Sequence, residues 1–133
     1  MSNAKQYNFS IERGSSFRIV FTHKDENNNP INITGWCARL VLKTHDGEVY
    51  DFNTSNTNYS QYKFSTDGPS GTMSLMIPAS TTNNFDFVQG KYDLELQLPE
   101  ELYAGSGPKI IRILYGTINV VSRFSNTLDI LSC

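Results

Sequence analysis

Short stretches of alternating apolar and polar residues, separated by clusters of turn formers, constrain this chain more than any other feature of its sequence. The clearest stretch covers residues 91–98. One set of alternate positions is apolar, namely Tyr92, Leu94, Leu96 and Leu98. The other set is polar, namely Lys91, Asp93, Glu95 and Gln97. A period of two places successive side chains on opposite faces of a β-strand, so this stretch predicts a strand with one buried face.

The same pattern predicts strands along most of the chain. They cover residues 15–23, 36–44, 49–52, 62–65, 72–77 and 109–121. Trp36 is expected to anchor the core, Asp46 and Gly47 predict a hairpin turn, and Gly116 predicts a bulge or a close backbone approach. Residues 80–85 are expected to form one helical turn. About seven short strands joined by turns predict an all-β fold, an immunoglobulin-like antiparallel β-sandwich.

The length of 133 residues fits one domain. We expect an N-terminal extension at residues 1–7, the β-sandwich at residues 8–121 and a C-terminal tail at residues 122–133. Residues 53–60 have no periodicity and little to bury, which predicts an exposed loop.

Charge and hydropathy exclude two classes of partner. The formal net charge is −2 and no Lys or Arg cluster stands out, so a nucleic acid would meet no basic surface. No apolar run approaches the roughly 20 residues that span a bilayer, and residues 1–6 lack the apolar stretch of a signal peptide. We therefore expect no nucleic-acid or membrane partner and synthesis in the cytoplasm.

Residues that carry chemistry are few and scattered. His23 and His45 lie in no nucleophile motif, and with Cys37 and Cys133 they do not match the spacing of a zinc site. The two cysteines are expected to be free thiols. The sequence therefore predicts a protein that is not an enzyme, with no metal, cofactor or catalytic residue.

Two tyrosines in irregular segments are candidate contacts for a partner. Tyr59 lies in an Asn-rich loop and Tyr103 in a loop from residue 99 to residue 108. Flat rings with polar tips suit the stacking of sugars. These residues leave open an alternative function as a carbohydrate-binding or host-surface adhesive module.

Several segments resemble small tail and baseplate proteins of tailed phages. The first is Pro-Ile-Asn-Ile-Thr-Gly at residues 30–35, followed by Ala38 and Arg39, which is similar to the pattern P-I-D-L-T-G and A-R in that family. Asn32 stands where the family usually has Asp. The likeness runs through the remaining segments at residues 68–71, 77–81 and 90–96 and ends with Arg112, Gly116 and Val120. It spans roughly residues 8–121.

The resemblance implies an immunoglobulin-like domain of the virion, similar to the domains that attach receptor-binding or fibre components to a baseplate. Other phage structural proteins are then the expected partners, in a homo-oligomer or ring. No catalytic residues are carried over from that family. The implied function is a structural or adaptor protein of the tail or baseplate.

The C-terminal tail offers further apolar contacts. Leu128, Ile130 and Leu131 follow the last predicted strand in a segment with little else to bury them. We expect these side chains to pack on a neighbouring subunit. Packing back onto the same domain is the alternative.

Overall fold

The computed structural model of the protein describes residues 4–122. Within that range the chain forms nine strands and one short helix. These elements are β1 (Lys5–Gln6), β2 (Phe9–Glu12), β3 (Phe17–Thr22), β4 (Cys37–Thr44), β5 (Val49–Asn53), β6 (Lys63–Asp67), β7 (Thr72–Ile77), α1 (Ala79–Asn83), β8 (Gln89–Leu98) and β9 (Lys109–Val121). The strands build two sheets that share one apolar core, so the prediction of an all-β sandwich is confirmed.

The larger sheet has the order β1-β9-β8-β4-β5, with β2 also paired to β9. β4 pairs antiparallel with β5 and with β8, and β8 pairs antiparallel with β9. Leu40 of β4 lies between Phe52 of β5 and Leu94 of β8. A hairpin joins β4 to β5 as predicted, but it is not the type I′ turn that Asp46 and Gly47 would form together. Gly47 has a φ of 91°, Asp46 has no positive φ, and the N–H of Gly47 donates to the carbonyl of Thr44 at 3.0 Å. The alternation of residues 91–98 thus belongs to a central strand of this sheet.

The smaller sheet has the order β3-β7-β6 and is antiparallel throughout. Phe21 of β3 lies opposite Met73 of β7, and both side chains are buried. Since β7 is the central strand, β3 and β6 form the two edges of this sheet.

The core lies between the two sheets and is filled by side chains that alternate along each strand. Fully buried side chains come from both sheets, namely Leu40, Leu42, Met73, Leu75, Ile77, Leu94, Leu96 and Ile118. Trp36, expected to anchor the core, is only half-buried and lies beside His23. Ile33 is fully buried instead, because the segment before β4 turns inward at that residue.

The N-terminal residues add two strands that the alternation did not predict. β1 and β2 run parallel to β9, with Lys5 opposite Leu114 and Phe9 opposite Ile118. Lys5 and Gln6 therefore pair with the sheet, although residues 1–7 were expected to precede the sandwich. The two strands are too short to show a period by themselves, and it is pairing with a distant strand that orders them.

Gly116 lies where the N-terminal segment passes from β1 to β2. A Cβ atom at this position would collide with the backbone carbonyl of Tyr7. The Asn8 side chain accepts a hydrogen bond from the N–H of Thr117 at 2.9 Å. The close backbone approach predicted for Gly116 is thereby confirmed, and it is what seats the N-terminal segment against β9.

Candidate functional site

The predicted contact residues fall into three separate regions of the chain. Leu128, Ile130 and Leu131 lie outside the described residues. Tyr103 belongs to the loop of residues 99–108 between β8 and β9, and Tyr59 belongs to the segment between β5 and β6. No contact joins the two tyrosines among the contacts of residues 4–122.

The loop of residues 99–108 is held in shape by its own backbone and side chains. The N–H of Lys109 donates to the carbonyl of Glu100 at 2.8 Å, and the ammonium of Lys109 lies 3.5 Å from the Glu100 carboxylate. The N–H of Ser106 donates to the carbonyl of Tyr103 at 3.0 Å. Gly105 and Gly107 have φ values of 84° and 81°, which few other residues adopt. The loop is therefore a preformed projection from the end of the sandwich.

Two adjacent apolar side chains stand in water on this projection, and we call Leu102 and Tyr103 the loop tip. Leu102 is 74% exposed and Tyr103 is 71% exposed. Complete burial of a large apolar side chain contributes roughly 1.5 to 3 kcal/mol. Because the loop is already ordered, a partner that covers the loop tip gains this burial with little loss of backbone entropy.

Tyr59 has a different environment. Its ring is 54% exposed and lies under the ammonium of Lys63, 5.2 Å from the ring centre. Around it, asparagine side chains accept hydrogen bonds from backbone N–H groups two residues later. The Asn56 side chain accepts from the N–H of Asn58 at 3.1 Å, and the Asn58 side chain accepts from the N–H of Ser60 at 3.2 Å. One face of the ring is thus occupied within the chain, which leaves less of it for a ligand than at the loop tip.

The outer face of the larger sheet carries paired charges. Arg39 lies 3.2 Å from Asp51, and Arg112 lies 3.2 Å from Asp93. The guanidinium of Arg112 also covers the ring of Tyr115 at 5.2 Å. A cleft of about 60 Å³ lies on this face. Exposed pairs of this kind contribute little to stability, and the face is a wet, mixed-charge surface.

A wider cleft of about 270 Å³ lies at the opposite end of the sheet, beside the β4–β5 turn. Lys43 of β4 is directly opposite Lys91 of β8, and His45 lines the same cleft. No salt bridge involves either lysine among the described residues. Like charges opposite one another are unfavourable, so this cleft is a weakly basic surface at the far end from the loop tip.

Among the described residues, four titratable groups have shifted pKa values, namely His23, Glu48, Tyr50 and Tyr92. The first two are the imidazole and the acid among them. Partial desolvation and the nearby carboxyl of Asp86 raise the pKa of Glu48 above its usual 4.5, with Asp46 adding to the effect. Burial lowers the pKa of His23, whose ring lies 6.1 Å from that of Trp36. Neither group lies against a nucleophile. Within residues 4–122 no three His, Cys, Asp or Glu side chains are grouped to hold a metal ion.

The sequence identified Tyr103 as a contact but missed its neighbour Leu102. A Leu-Tyr pair inside a Gly-rich loop breaks the rule that loops carry small polar residues, and that signal was available in the sequence. Val20 was also missed. Alternation placed Val20, which is 46% exposed, on the wetter face of a predicted strand, but it did not show that this strand lies at the edge of its sheet.

Comparison with models of protein families gives no match to the chain. A search of curated proteins likewise gives no match. None of the helical residues that the structure describes forms a segment long and apolar enough to cross a membrane.

Proposed function

We propose that the chain is a non-enzymatic structural or adaptor protein of a tailed-phage particle, where it holds neighbouring subunits or fibres in the tail or baseplate. The observation that carries this proposal is the likeness of its separate segments to small tail and baseplate proteins. The fold adds support, because segments of that likeness that are far apart in sequence pack directly against one another.

The contact between residues 30–35 and residues 68–71 is the clearest case. The N–H of Ile33 donates to the carbonyl of Gly68 at 2.9 Å. A Cβ atom at Gly68 would collide with Thr34, and one at Gly71 would collide with the backbone of Ile31. The two glycines are therefore required by the segment before β4. Because the two segments contact each other, their joint likeness to the phage proteins concerns one packed region. This favours a shared fold over a chance match.

The strand order supports the finer assignment to an immunoglobulin-like sandwich. In such domains the strands C, F and G share one sheet, a C′ strand can extend it, and B, E and D lie in the other. Here β4, β8, β9 and β5 correspond to C, F, G and C′, and β3, β7 and β6 correspond to B, E and D. The first strands differ from that scheme, since β1 and β2 pair with β9 and not with β3.

The loop tip is the surface through which this chain docks on its neighbour in our proposal. Leu102 and Tyr103 are exposed, adjacent and carried on an ordered loop, and tyrosine is among the residues that dominate binding at interfaces. A flexible loop would lose more entropy on binding. The position at one end of the sandwich leaves both sheets free for other contacts.

The test is incorporation into particles. A phage that lacks this gene would be complemented with the wild-type chain, with Leu102→Asp combined with Tyr103→Ser, or with Val88→Ser. Val88 is 70% exposed and lies in the turn before β8, away from the loop tip, so it is the matched control. Mass spectrometry of purified particles should find the wild-type and Val88→Ser chains and at least tenfold less of the loop-tip variant. Equal incorporation of all three would reject the loop tip as the docking surface.

The tail remains a second proposed contact. Leu128, Ile130 and Leu131 are proposed to pack on a neighbouring subunit, and deletion of residues 124–133 should leave the purified chain folded while reducing its incorporation. A truncated chain that enters particles at the wild-type level would end that part of the proposal. A truncated chain that loses its fold would instead favour packing of the tail on its own domain.

Carbohydrate binding or adhesion to a host surface is the alternative function, and the exposed ring of Tyr103 is the observation that favours it. It predicts saturable binding to a glycan array that is lost with Tyr103→Ala. Retention of binding by Tyr59→Ala would place the sugar at the loop tip. Absence of glycan binding by the wild-type chain would leave the structural role alone.

A further inference from the structure

Within residues 4–122 the two sheets have four edges, and three of them are protected. On the larger sheet, β5 is covered by Tyr62. The N–H of Asn53 donates to the hydroxyl of Tyr62 at 3.2 Å, and that hydroxyl donates to the carbonyl of Asp51 at 3.3 Å. Both backbone groups point away from β4, because the β4–β5 hydrogen bonds are made by the residues between them. One side chain thus occupies two places where another strand would bind.

The next two edges are protected in other ways. The other edge of the larger sheet is formed by β1 and β2, which are only two and four residues long. β6 has five residues and carries Lys63 at one end and Asp67 at the other. Short strands and charged side chains are the common means by which proteins prevent a free edge from pairing.

β3 is the least protected of these edges. It is six residues long, rich in residues that favour strands, and contains one charged side chain, Arg18. The N–H of His23 donates to the carbonyl of Gly71 at 2.8 Å. The residues of β3 that form hydrogen bonds with β7 are therefore every second residue counted back from His23. The backbone groups of Arg18, Val20 and Thr22 therefore face outward. Among residues 4–122 no other strand pairs with this edge.

We propose that two copies of the chain pair through their β3 edges, antiparallel and about a two-fold axis at Val20, so that their small sheets join into one sheet of six strands. This proposal goes beyond the phage assignment, because the purified chain would self-associate whatever particle it belongs to. The partner of this surface is thus a second copy of the same chain.

The register of this pairing follows from which groups face outward. With Val20 opposite Val20 of the second copy, Arg18 lies opposite Thr22, and the outward groups of these residues meet as hydrogen-bonded pairs. Val20 is 46% exposed, the kind of apolar side chain that gains from a cross-strand neighbour. The partly buried Ile19 would lie opposite Phe21 on the inner face.

Charge also favours a second copy as the occupant. In the Val20-centred register the only charged side chain of each β3 faces a threonine, so the two arginines are not opposed. A self-pairing strand avoids like charges only if its charges lie off the two-fold axis, and Arg18 meets this condition. Val20 on the axis is apolar and self-complementary.

The experiment uses purified full-length chains in sedimentation equilibrium over a wide range of concentration. Wild type should show a concentration-dependent mass approaching that of two chains. Val20→Lys and Val20→Glu should each associate at least tenfold more weakly, because each brings two like charges together on the axis. An equimolar mixture of the two should recover the dimer. Ser65→Lys, on β6 of the same sheet and away from the axis, is the control and should dimerise as wild type does.

A second pair of variants guards against loss of fold at Val20. Thr22→Glu places a carboxylate opposite Arg18 of the other copy and should tighten the dimer, whereas Thr22→Lys should weaken it. A wild-type chain that is monomeric at every concentration, or a mixture of Val20→Lys and Val20→Glu that stays monomeric, would overturn the proposal. The second result would assign the β3 edge to another occupant, such as residues 123–133.

Discussion

The side chain of Tyr92 donates a hydrogen bond to the backbone carbonyl of Tyr7, which lies 85 residues earlier in the sequence. This bond fastens the N-terminal segment to the central strand β8 from inside the sandwich, where the Tyr92 ring is buried. We expect Tyr92→Phe to lower the free energy of unfolding by about 1 kcal/mol, the usual net contribution of such a bond. Urea unfolding would measure it. Faster amide exchange at residues 5–8 should accompany the loss, and unchanged exchange there would contradict the assignment.

Tyr92 also predicts how stability depends on alkaline pH. Burial, with a smaller contribution from Tyr7, raises the pKa of Tyr92 from 10.0 to about 12. The phenol is therefore held protonated by the fold. Its contribution to stability is complete below pH 10 and is lost as pH rises toward 12. Desolvation and the nearby Glu48 also raise the pKa of Tyr50, so absorbance titration at alkaline pH should show late-titrating tyrosines. Tyr92→Phe should remove the latest of them and flatten the pH dependence of unfolding over that interval.

Gly116 is predicted to tolerate no side chain. Gly116→Ala would drive a Cβ atom into the carbonyl of Tyr7, and we expect a loss of about 1 to 3 kcal/mol, as for overpacked sites. Gly105→Ala is the control. Gly105 has a φ of 84° but open space around it, so its substitution costs backbone strain of about 1 kcal/mol and leaves the N-terminal segment protected. Equal amide exchange at residues 5–8 in both variants would argue against the close approach.

Tyr62→Phe tests the protection of the β5 edge. The variant keeps the ring packed edge-on against Phe52 and loses the hydroxyl that binds Asn53 and Asp51. We expect a loss of about 0.5 to 1.5 kcal/mol and faster exchange of the Asn53 amide. We also expect self-association through β5 that Val20→Lys does not suppress. Light scattering would detect it, and a variant no more associated than wild type would show that the hydroxyl is not what blocks this edge.

Glu48 predicts a dependence on acidic pH. Desolvation and the nearby Asp86 raise its pKa, so the fold favours the protonated acid and its contribution is complete below about pH 4 and lost as pH rises. Glu48→Gln should therefore raise the melting temperature at pH 7 and have little effect at acidic pH. Glu26→Gln, in the turn between β3 and β4, is the control. It should change the melting temperature neither at pH 7 nor at acidic pH. A lower melting temperature for Glu48→Gln at pH 7 would reverse the assigned sign.

The sequence predicted those parts of the fold that depend on local pattern. Strands β3 to β9 alternate over four or more residues, and their bounds follow from turn signals such as Asp46 and Gly47. It did not predict β1 and β2, which form strands because they pair with β9 about a hundred residues later in the sequence. Trp36 packs against the core as expected but is only partly buried, because it lies just before β4, and periodicity gives the face of a strand but not how deep its end lies in the sandwich.

The candidate surfaces were predictable only in part. Tyr103 could be identified as a contact because it interrupts a loop of small and polar residues. Alternation also placed Val20 with Arg18 and Thr22 on the wetter face of its strand, but it could not show that this strand lies at an edge, since the same alternation describes β3 and the central strand β7. Which of two strands lies at an edge is decided by the topology of the whole sheet. The protective role of Tyr62 likewise depends on a side chain that crosses between two sheets.

The most direct test of the proposed structural role is quantitative mass spectrometry of phage particles purified from the source organism, with the major capsid and tail proteins as internal standards. We predict that the chain is present at a low and fixed copy number, in multiples of three or six. Absence of the chain from particles, despite its expression during infection, would contradict the proposed structural role and make binding to a host glycan the leading alternative.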